Sequence, residues 1–121
     1  MKPEIDFKLQ SAPLQFDYMK TSATTPDGTY RAYHAHQGVE FLYVHSGVGR
    51  VIVDQKVHEI ESGCLLYFQP FQLHRVEIRL DGQTDYTRTC IVFEPSAFDQ
   101  RLKEFPSLRA FLQRLAGGAY A

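Results

Sequence analysis

The chain has 121 residues, 44% of them hydrophobic, and a formal net charge of -1 at neutral pH. This length and composition support one domain with one core rather than two. The 13 Lys and Arg residues are scattered, so no basic patch for a nucleic-acid backbone is visible. No segment is long enough to cross a membrane and no signal peptide is visible, so we expect a cytoplasmic protein. Its two cysteines, Cys64 and Cys90, are expected to be free thiols.

Short strands are expected in the first part of the chain. Residues 5–20 alternate loosely between apolar and polar side chains, which predicts two strands separated at residues 11–13. The polar segment that follows contains Pro26-Asp27-Gly28. Because proline fixes φ and glycine accepts a positive φ, these residues predict a tight turn.

Residues 28–47 carry two histidines and a glutamate at even positions between two glycines. Successive side chains of an extended strand point to opposite faces, so His34 and His36 are expected to share one face. Glu40 joins that face if the chain stays extended. The stretch after Glu40 is rich in aromatic and branched residues and predicts a strand.

Further strand-like stretches follow, separated by turn residues. Residues 47–49 predict a hairpin that pairs residues 50–54 with the preceding strand, and residues 54–56 predict the next turn. Residues 64–68 are an unbroken apolar run, which predicts a strand buried on both faces. With further strands at 57–60, 75–80 and 87–93, about eight to ten short strands predict a small antiparallel barrel or jelly roll over residues 5–94.

Two helices are expected in the last part of the chain, over about residues 95–117. Ser96 is the expected N-cap of the first helix, with Asp99 as the acid of a capping box. The second helix carries an apolar stripe formed by Leu108, Phe111, Leu112 and Leu115. We expect this stripe to pack on the outside of the barrel; the alternative is an interface with a second copy or another domain.

The two histidine-containing segments resemble the paired signatures of the cupin superfamily. The first signature is carried by Gly28, His34, His36, Glu40 and Gly47. The second runs from Gly63 through Pro70 to His74, in the form found in AraC-type transcription regulators. It departs from the usual pattern at Cys64, where an acid is common, and at Phe71, where glycine is common.

The tail also resembles the segment that follows the barrel in AraC-type regulators, so the likeness spans about residues 30–120. It implies a mainly β, cupin-like jelly roll with two C-terminal helices, forming a single sensor domain over residues 1–121. It further implies a small-molecule effector inside the barrel and a homodimer in the full-length protein. We expect DNA contact only through a C-terminal helix-turn-helix domain, which these residues lack, and a main dimerisation helix beyond Ala121.

The resemblance implies a metal-ligand set for a transition ion such as Zn, Ni, Mn, Fe or Cu: His34, His36, Glu40 and His74. Without a metal, these side chains would line a polar cavity in which Glu40 fixes the tautomer of an imidazole. The expected effector-binding residues are these four together with Val76, Arg88 and Cys90. An arginine in the pocket suits a carboxylate or sugar hydroxyls, whereas the alternative for Arg88 is an exposed, solvated side chain. His45 and His58 are expected to be solvated.

Three functions are compatible with these features. The preferred one is a non-enzymatic ligand sensor, in which an effector in the barrel changes contacts of an N-terminal arm, residues 1–13, or of the C-terminal helices. The second is a small metal-dependent cupin enzyme, a dioxygenase or isomerase, that uses the four ligand residues. The helical tail argues against it. The third is a structural dimer module with an empty barrel.

Overall fold

The computed structural model describes residues 2–6, 14–21 and 25–116, with the side chains of the last helix described through Arg114. The described strands are β1 (Glu4–Asp6), β2 (Leu14–Thr21), β3 (Thr29–His36), β4 (Val39–Ser46), β5 (Gly49–Val53), β6 (Lys56–Ile60), β7 (Leu65–Phe68), β8 (His74–Arg79) and β9 (Tyr86–Phe93). A 3-10 helix (Pro95–Leu102) and helix α1 (Pro106–Ala116) follow. No helix in this described part is long and apolar enough to cross a membrane.

The strands form two sheets that face each other across one core. One sheet has the order β1-β3-β8-β5-β6 and the other β2-β9-β4-β7. Neighbouring strands run antiparallel, except for β1, which pairs with β3 in parallel. Inward side chains of both sheets make the core, among them Val44, Val51, Phe68 and Ile78. The mainly β jelly roll with two C-terminal helices is confirmed, and the break expected at residues 11–13 lies outside the described residues.

The connection around Gly49 differs from the prediction. Strand β5 does not form a hairpin with β4; it lies between β6 and β8 in the opposite sheet. Residues 47–49 therefore carry the chain from one sheet to the other. Gly49 packs so closely on β8 that a Cβ atom there would lie 2.0 Å from the carbonyl oxygen of Glu77. Glycine is needed at this crossing because two backbones approach each other, a requirement that a local turn pattern does not reveal.

Strand β7 is not buried on both faces as its apolar run predicts. It is an edge strand that pairs with β4, and Phe68 points into the core while Leu65 is 62% exposed. The prediction was wrong because apolar residues occupy the outward positions of this strand as well as the inward ones.

The C-terminal helices also differ in detail. The residue before the first helical turn is Glu94, not Ser96, because Pro95 occupies the first turn, where its missing N–H costs nothing. Asp99 forms no capping box; it accepts hydrogen bonds from Arg109 Nε at 2.8 Å and from Gln113, which holds α1 on the 3-10 helix.

The apolar stripe of α1 does not pack on the barrel as expected. The main contacts of α1 are with the 3-10 helix, and Leu108 and Phe111 remain about half exposed. Leu112 is partly buried, while the side chain of Leu115 lies outside the described residues. The short connection after Leu102 folds α1 back on its neighbour, so within the described residues Leu108 and Phe111 are not covered by the barrel.

Candidate functional site

Four ligand-type side chains from three strands meet inside the barrel. His34 and His36 come from β3, and His74 lies directly opposite His34 on β8. Glu40 comes from β4 in the other sheet. The candidate ligand atoms of the four residues all lie within 4.8 Å of one another. The four residues that the resemblance implies as ligands therefore lie together in the structure.

Glu40, however, does not join the histidines through continued strand alternation, which was the condition stated in the sequence analysis. The chain does not stay extended between His36 and Glu40, because Gly38 adopts a φ of 84° and turns the chain from one sheet into the other. Glu40 is an inward residue of β4 that reaches the histidines across the barrel. Its burial beside three imidazoles is thus a consequence of sheet packing and not of strand alternation.

One carboxylate oxygen is the centre of the cluster. Oε1 of Glu40 contacts Nε2 of His36 closely, and lies 3.5 Å from Nε2 of His74 and 3.9 Å from Nε2 of His34. His74 is 1% exposed and its ring stacks on Phe68 with 3.7 Å between ring centroids. The three imidazoles therefore all turn the same nitrogen toward one acceptor.

Backbone carbonyls orient two of the rings. Nδ1 of His74 donates to the backbone carbonyl of Gln72 at 2.9 Å, and Nδ1 of His36 to that of Gln37 at 3.3 Å. Nε2 of His36 hydrogen-bonds Glu40, whereas the buried Nε2 of His74 has no hydrogen-bond partner. Rings that backbone carbonyls orient, with their Nε2 atoms converging on one carboxylate, are an arrangement that suits a metal ion.

The electrostatic surroundings also suit a cation. Burial raises the pKa of the Glu40 carboxyl group, but the hydrogen bonds and charges of His36 and His74 outweigh burial and hold that pKa well below its usual range. Burial lowers the pKa of His34, and His74 beside it lowers this pKa further. An ionised Glu40 and a neutral His34 are protonation states that favour a divalent metal, and a bound metal would displace any proton from Nε2 of the other two rings. Nitrogen and oxygen donors in this ratio fit Zn, Ni, Mn, Fe or Cu.

A cavity of about 220 Å³ lies between the sheets next to this cluster. It is lined by six of the seven predicted site residues, namely His34, His36, Glu40, Val76, Arg88 and Cys90. His74 lies behind them, with its Nε2 directed at Glu40. The structure thus brings the metal-type cluster and the face of β9 into one site.

Arg88 is held in place at the cavity wall. Its Nη2 lies 2.9 Å from Oδ2 of Asp17, its Nη1 donates to the Asp17 carbonyl oxygen at 3.2 Å, and its side chain is only 14% exposed. The alternative of a solvated arginine is therefore wrong. Two residues further along β9, burial raises the pKa of the Cys90 thiol, and the negative charge of Glu40 adds to this effect, so Cys90 stays a neutral thiol.

Sequence reasoning missed several cavity residues, above all on β2 and β1. Gln15 and Asp17 line the cavity, while their apolar neighbours Leu14 and Phe16 point outward. Glu4 also lines the cavity because β1 pairs with β3 in register with His34. The available signal was the strict alternation of β2, but a period of two does not say which face is inside.

Two histidines lie away from the site, as expected. His45 and His58 are both exposed. His45 shares a 2.7 Å hydrogen bond with the hydroxyl of Thr89 on the outer surface.

The fold is shared with solved structures of low sequence identity. Among solved structures, a cupin 2 conserved barrel domain protein from Salinispora arenicola superposes with a TM-score of 0.54 at 15% identity, covering 74% of this chain and 70% of that one. A protein from Photorhabdus luminescens gives a TM-score of 0.52 at 18% identity, with 76% and 74% coverage. At such identities the likeness concerns the fold alone.

The sequence comparison is more specific. No curated protein matches this chain. The model of the family described as AraC-like ligand binding domain matches residues 19–116, a span that contains the four clustered ligand residues and all of β3 to β9. The chain belongs to the AraC-like ligand-binding domain family.

Proposed function

We propose that this chain is the ligand-sensing domain of a transcription regulator and that its effector is a small polar molecule bound between the two sheets. The supporting observation is the set of polar and charged side chains in the wall of an interior cavity, in a member of a ligand-binding family. Arg88 is mostly buried at the cavity wall, where its pairing with the exposed Asp17 holds the guanidinium in place. A guanidinium fixed beside a cavity suits an anionic or hydroxyl-bearing ligand.

The cavity has two chemically different sides. On one side His34, His36, Glu40 and His74 would hold a transition metal ion, which would supply a Lewis-acidic anchor for an oxygen atom of the ligand. On the other side Arg88 offers a planar fork of donors to a carboxylate or to adjacent hydroxyl groups. The volume of about 220 Å³ is below the roughly 300–1,000 Å³ of sites for drug-sized molecules. Small carboxylic acids and monosaccharides are the classes that fit both the size and the polarity.

Ligand binding would be transmitted to the rest of the protein through the strands that border the cavity. Strand β1 lies against β3, with Glu4 in register with His34 and Asp6 with His36. A ligand that contacts Glu4 therefore changes the free energy of docking β1 onto the barrel. In a full-length regulator of this kind, such a change would alter the arrangement of a homodimer and of a helix-turn-helix domain on DNA in the cytoplasm.

A thermal-shift panel tests this proposal. Small carboxylates and monosaccharides are added to the purified chain, each with and without zinc chloride, and hits are titrated by calorimetry. We expect at least one hit that stabilises the native protein and binds at least about tenfold more weakly to an Arg88→Met variant, a loss of about 1.4 kcal/mol. His58→Ala is the matched control, because His58 is exposed and lies away from the cavity. Hits that bind all three proteins equally would contradict the proposed site.

A second candidate function is a small metal-dependent enzyme of the dioxygenase or isomerase type. The observation in its favour is the same unpartnered Nε2 of His74 in a four-residue ligand set. Family membership favours the sensor. Oxygen uptake or conversion of a panel hit by the zinc-, iron- or manganese-loaded chain, lost in a His36→Ala variant, would favour the enzyme instead.

A further inference from the structure

Arg88 already has an anionic partner where it meets the cavity. Its Nη2 lies 2.9 Å from Oδ2 of Asp17 and 4.0 Å from Sδ of Met19, and its Nη1 donates to the Asp17 carbonyl oxygen at 3.2 Å. These contacts all come from strand β2, which lies at the edge of its sheet and pairs with β9. The positive charge of Arg88 is therefore matched by a carboxylate before any ligand binds.

The pairing leaves hydrogen-bonding capacity on both partners. A guanidinium has more N–H donors than these contacts use, and an ionised carboxylate accepts at both of its oxygens. The Asp17 carboxylate meets Arg88 as an ion pair through Oδ2, and its side chain is 67% exposed. Asp99 in the tail differs, because both of its oxygens accept hydrogen bonds from Arg109. Donors of Arg88 and acceptors of Asp17 are thus available side by side at the cavity wall.

A donor beside an acceptor selects the kind of group that it binds. A hydroxyl group or a primary amide both donates and accepts, so it can accept from Arg88 and donate to Asp17 at once. An ionised carboxylate only accepts. It would lie against the Asp17 carboxylate whenever it bound Arg88, and like charges placed together cost free energy.

Glu4 adds negative charge where the cavity meets water. Glu4 on β1 and Asp17 on β2 both line the cavity and are both exposed, and β1 and β2 are edge strands of the two described sheets. The charged groups here are two carboxylates and the guanidinium of Arg88. Besides the histidines, the remaining charged group of the lining is Glu40, which belongs to the ligand cluster. An acid that enters past β1 and β2 therefore meets net negative charge, whereas an uncharged ligand is not repelled.

We propose that Asp17 is a specificity-determining residue of the cavity, which admits a hydroxyl or amide group at Arg88 and rejects a carboxylate there. This inference rests on the proposed function, because it concerns the ligand bound at that same site. It narrows the ligand to one that is uncharged at the Arg88 end of the cavity. Asp17 acts in two ways, as an acceptor for the selected group and as a competitor of an acid for the guanidinium.

Calorimetric titration with paired probes tests this proposal. D-glucose and D-galactose are compared with their uronic acids, and L-lactamide with L-lactate, so that within each pair a hydroxymethyl or amide group is replaced by a carboxylate. Each titration is repeated with EDTA, which identifies an acid held by a metal ion. We expect the native chain to bind the uncharged probe of at least one pair, and to bind its acid at least about tenfold more weakly.

Two variants assign this preference to Asp17. Asp17→Asn removes the charge and keeps an acceptor, so it should tighten binding of the acid at least about fivefold and change that of the uncharged probe less than about threefold. Asp27→Asn is the matched control and should change neither. Asp27 is also an exposed aspartate paired with an arginine, Arg31, but neither residue lines the cavity.

The outcomes separate this inference from the proposed function. An acid that binds the native chain as tightly as its uncharged partner, or that Asp17→Asn fails to tighten, overturns the role of Asp17, while weaker binding to Arg88→Met would still support the proposed site. If neither the probes nor the panel compounds bind the native chain, the proposed function fails and this inference fails with it. Circular dichroism checks that Asp17→Asn is folded, and the preference of the native chain is measured without any variant.

Discussion

Replacement of Gly49 by alanine should be one of the most damaging single-methyl changes in this chain. A Cβ atom at this position would lie 2.0 Å from the carbonyl oxygen of Glu77 and 2.8 Å from Cα of Ile78, both in the backbone of β8. Ordinary contacts of a Cβ atom begin at 3.4 Å, so β5 and β8 must separate by more than about 1 Å. That separation stretches the ladder hydrogen bonds around Gly49.

The expected cost follows from two contributions. Overpacking against a rigid backbone costs about 1–3 kcal/mol, and each weakened ladder hydrogen bond costs about 1 kcal/mol. We therefore expect Gly49→Ala to lower the free energy of unfolding by about 3–4 kcal/mol. Because His74 lies on the same ladder, opposite Val53, the variant should also bind zinc more weakly than the native chain.

Urea unfolding followed by circular dichroism, at one fixed protein concentration, measures this loss. The matched control is Gly63→Ala, since no atom lies within 4 Å of a Cβ there and only the φ of 91° opposes a side chain. Its cost should be about 1–2 kcal/mol. If Gly49→Ala costs no more than Gly63→Ala, the close approach of β5 and β8 is not the reason for glycine at position 49.

Two further changes test the second signature and the helical tail. Phe71 adopts a left-handed φ of 57°, and its N–H donates to the His36 carbonyl at 2.8 Å. Because glycine adopts this φ without steric cost, Phe71→Gly should raise the free energy of unfolding by about 0.5–1 kcal/mol in urea titrations. A destabilised variant would contradict this reasoning. The hydrogen bond from Arg109 lowers the pKa of Asp99, so the stability that Asp99 contributes is present above its unfolded-state pKa and is lost as pH falls through the folded-state value. Melting temperatures of the native chain and Asp99→Asn should differ at pH 7 and converge toward pH 3; a difference that persists in acid would refute the assignment.

The ligand cluster was predictable because its spacing is a local property. His34 and His36 share a face by strand alternation alone, and His74 follows from the second signature. Glu40 reaches the site for a reason that local pattern does not contain, since the positive φ of Gly38 sends β4 into the opposite sheet. Glu40 does lie in the cluster, but the reason for its position is the packing of two sheets.

The pairing of strands, and the side of each strand that points into the barrel, were less predictable, because both depend on distant parts of the chain. Strand β5 follows β4 directly, yet pairs with β8, which begins 21 residues after β5 ends. Strand β2 has a clear alternation, but most of its apolar residues face outward and Asp17 lines the cavity. A period of two identifies the two faces of a strand without identifying the inner one. The face that lines the cavity was thus the one that an apolar-inside rule assigns to solvent.

The most direct test of the site is native mass spectrometry of the chain after equilibration with zinc chloride and removal of excess metal. We expect one zinc ion per native chain and per chain of the His58→Ala control. His74→Phe, which preserves the ring stacked on Phe68 but has no lone pair to donate, should retain no zinc while keeping its circular dichroism spectrum. A native chain without zinc, or a His74→Phe variant that still carries it, would contradict the proposal that the three imidazoles and Glu40 form a metal-binding end of the cavity.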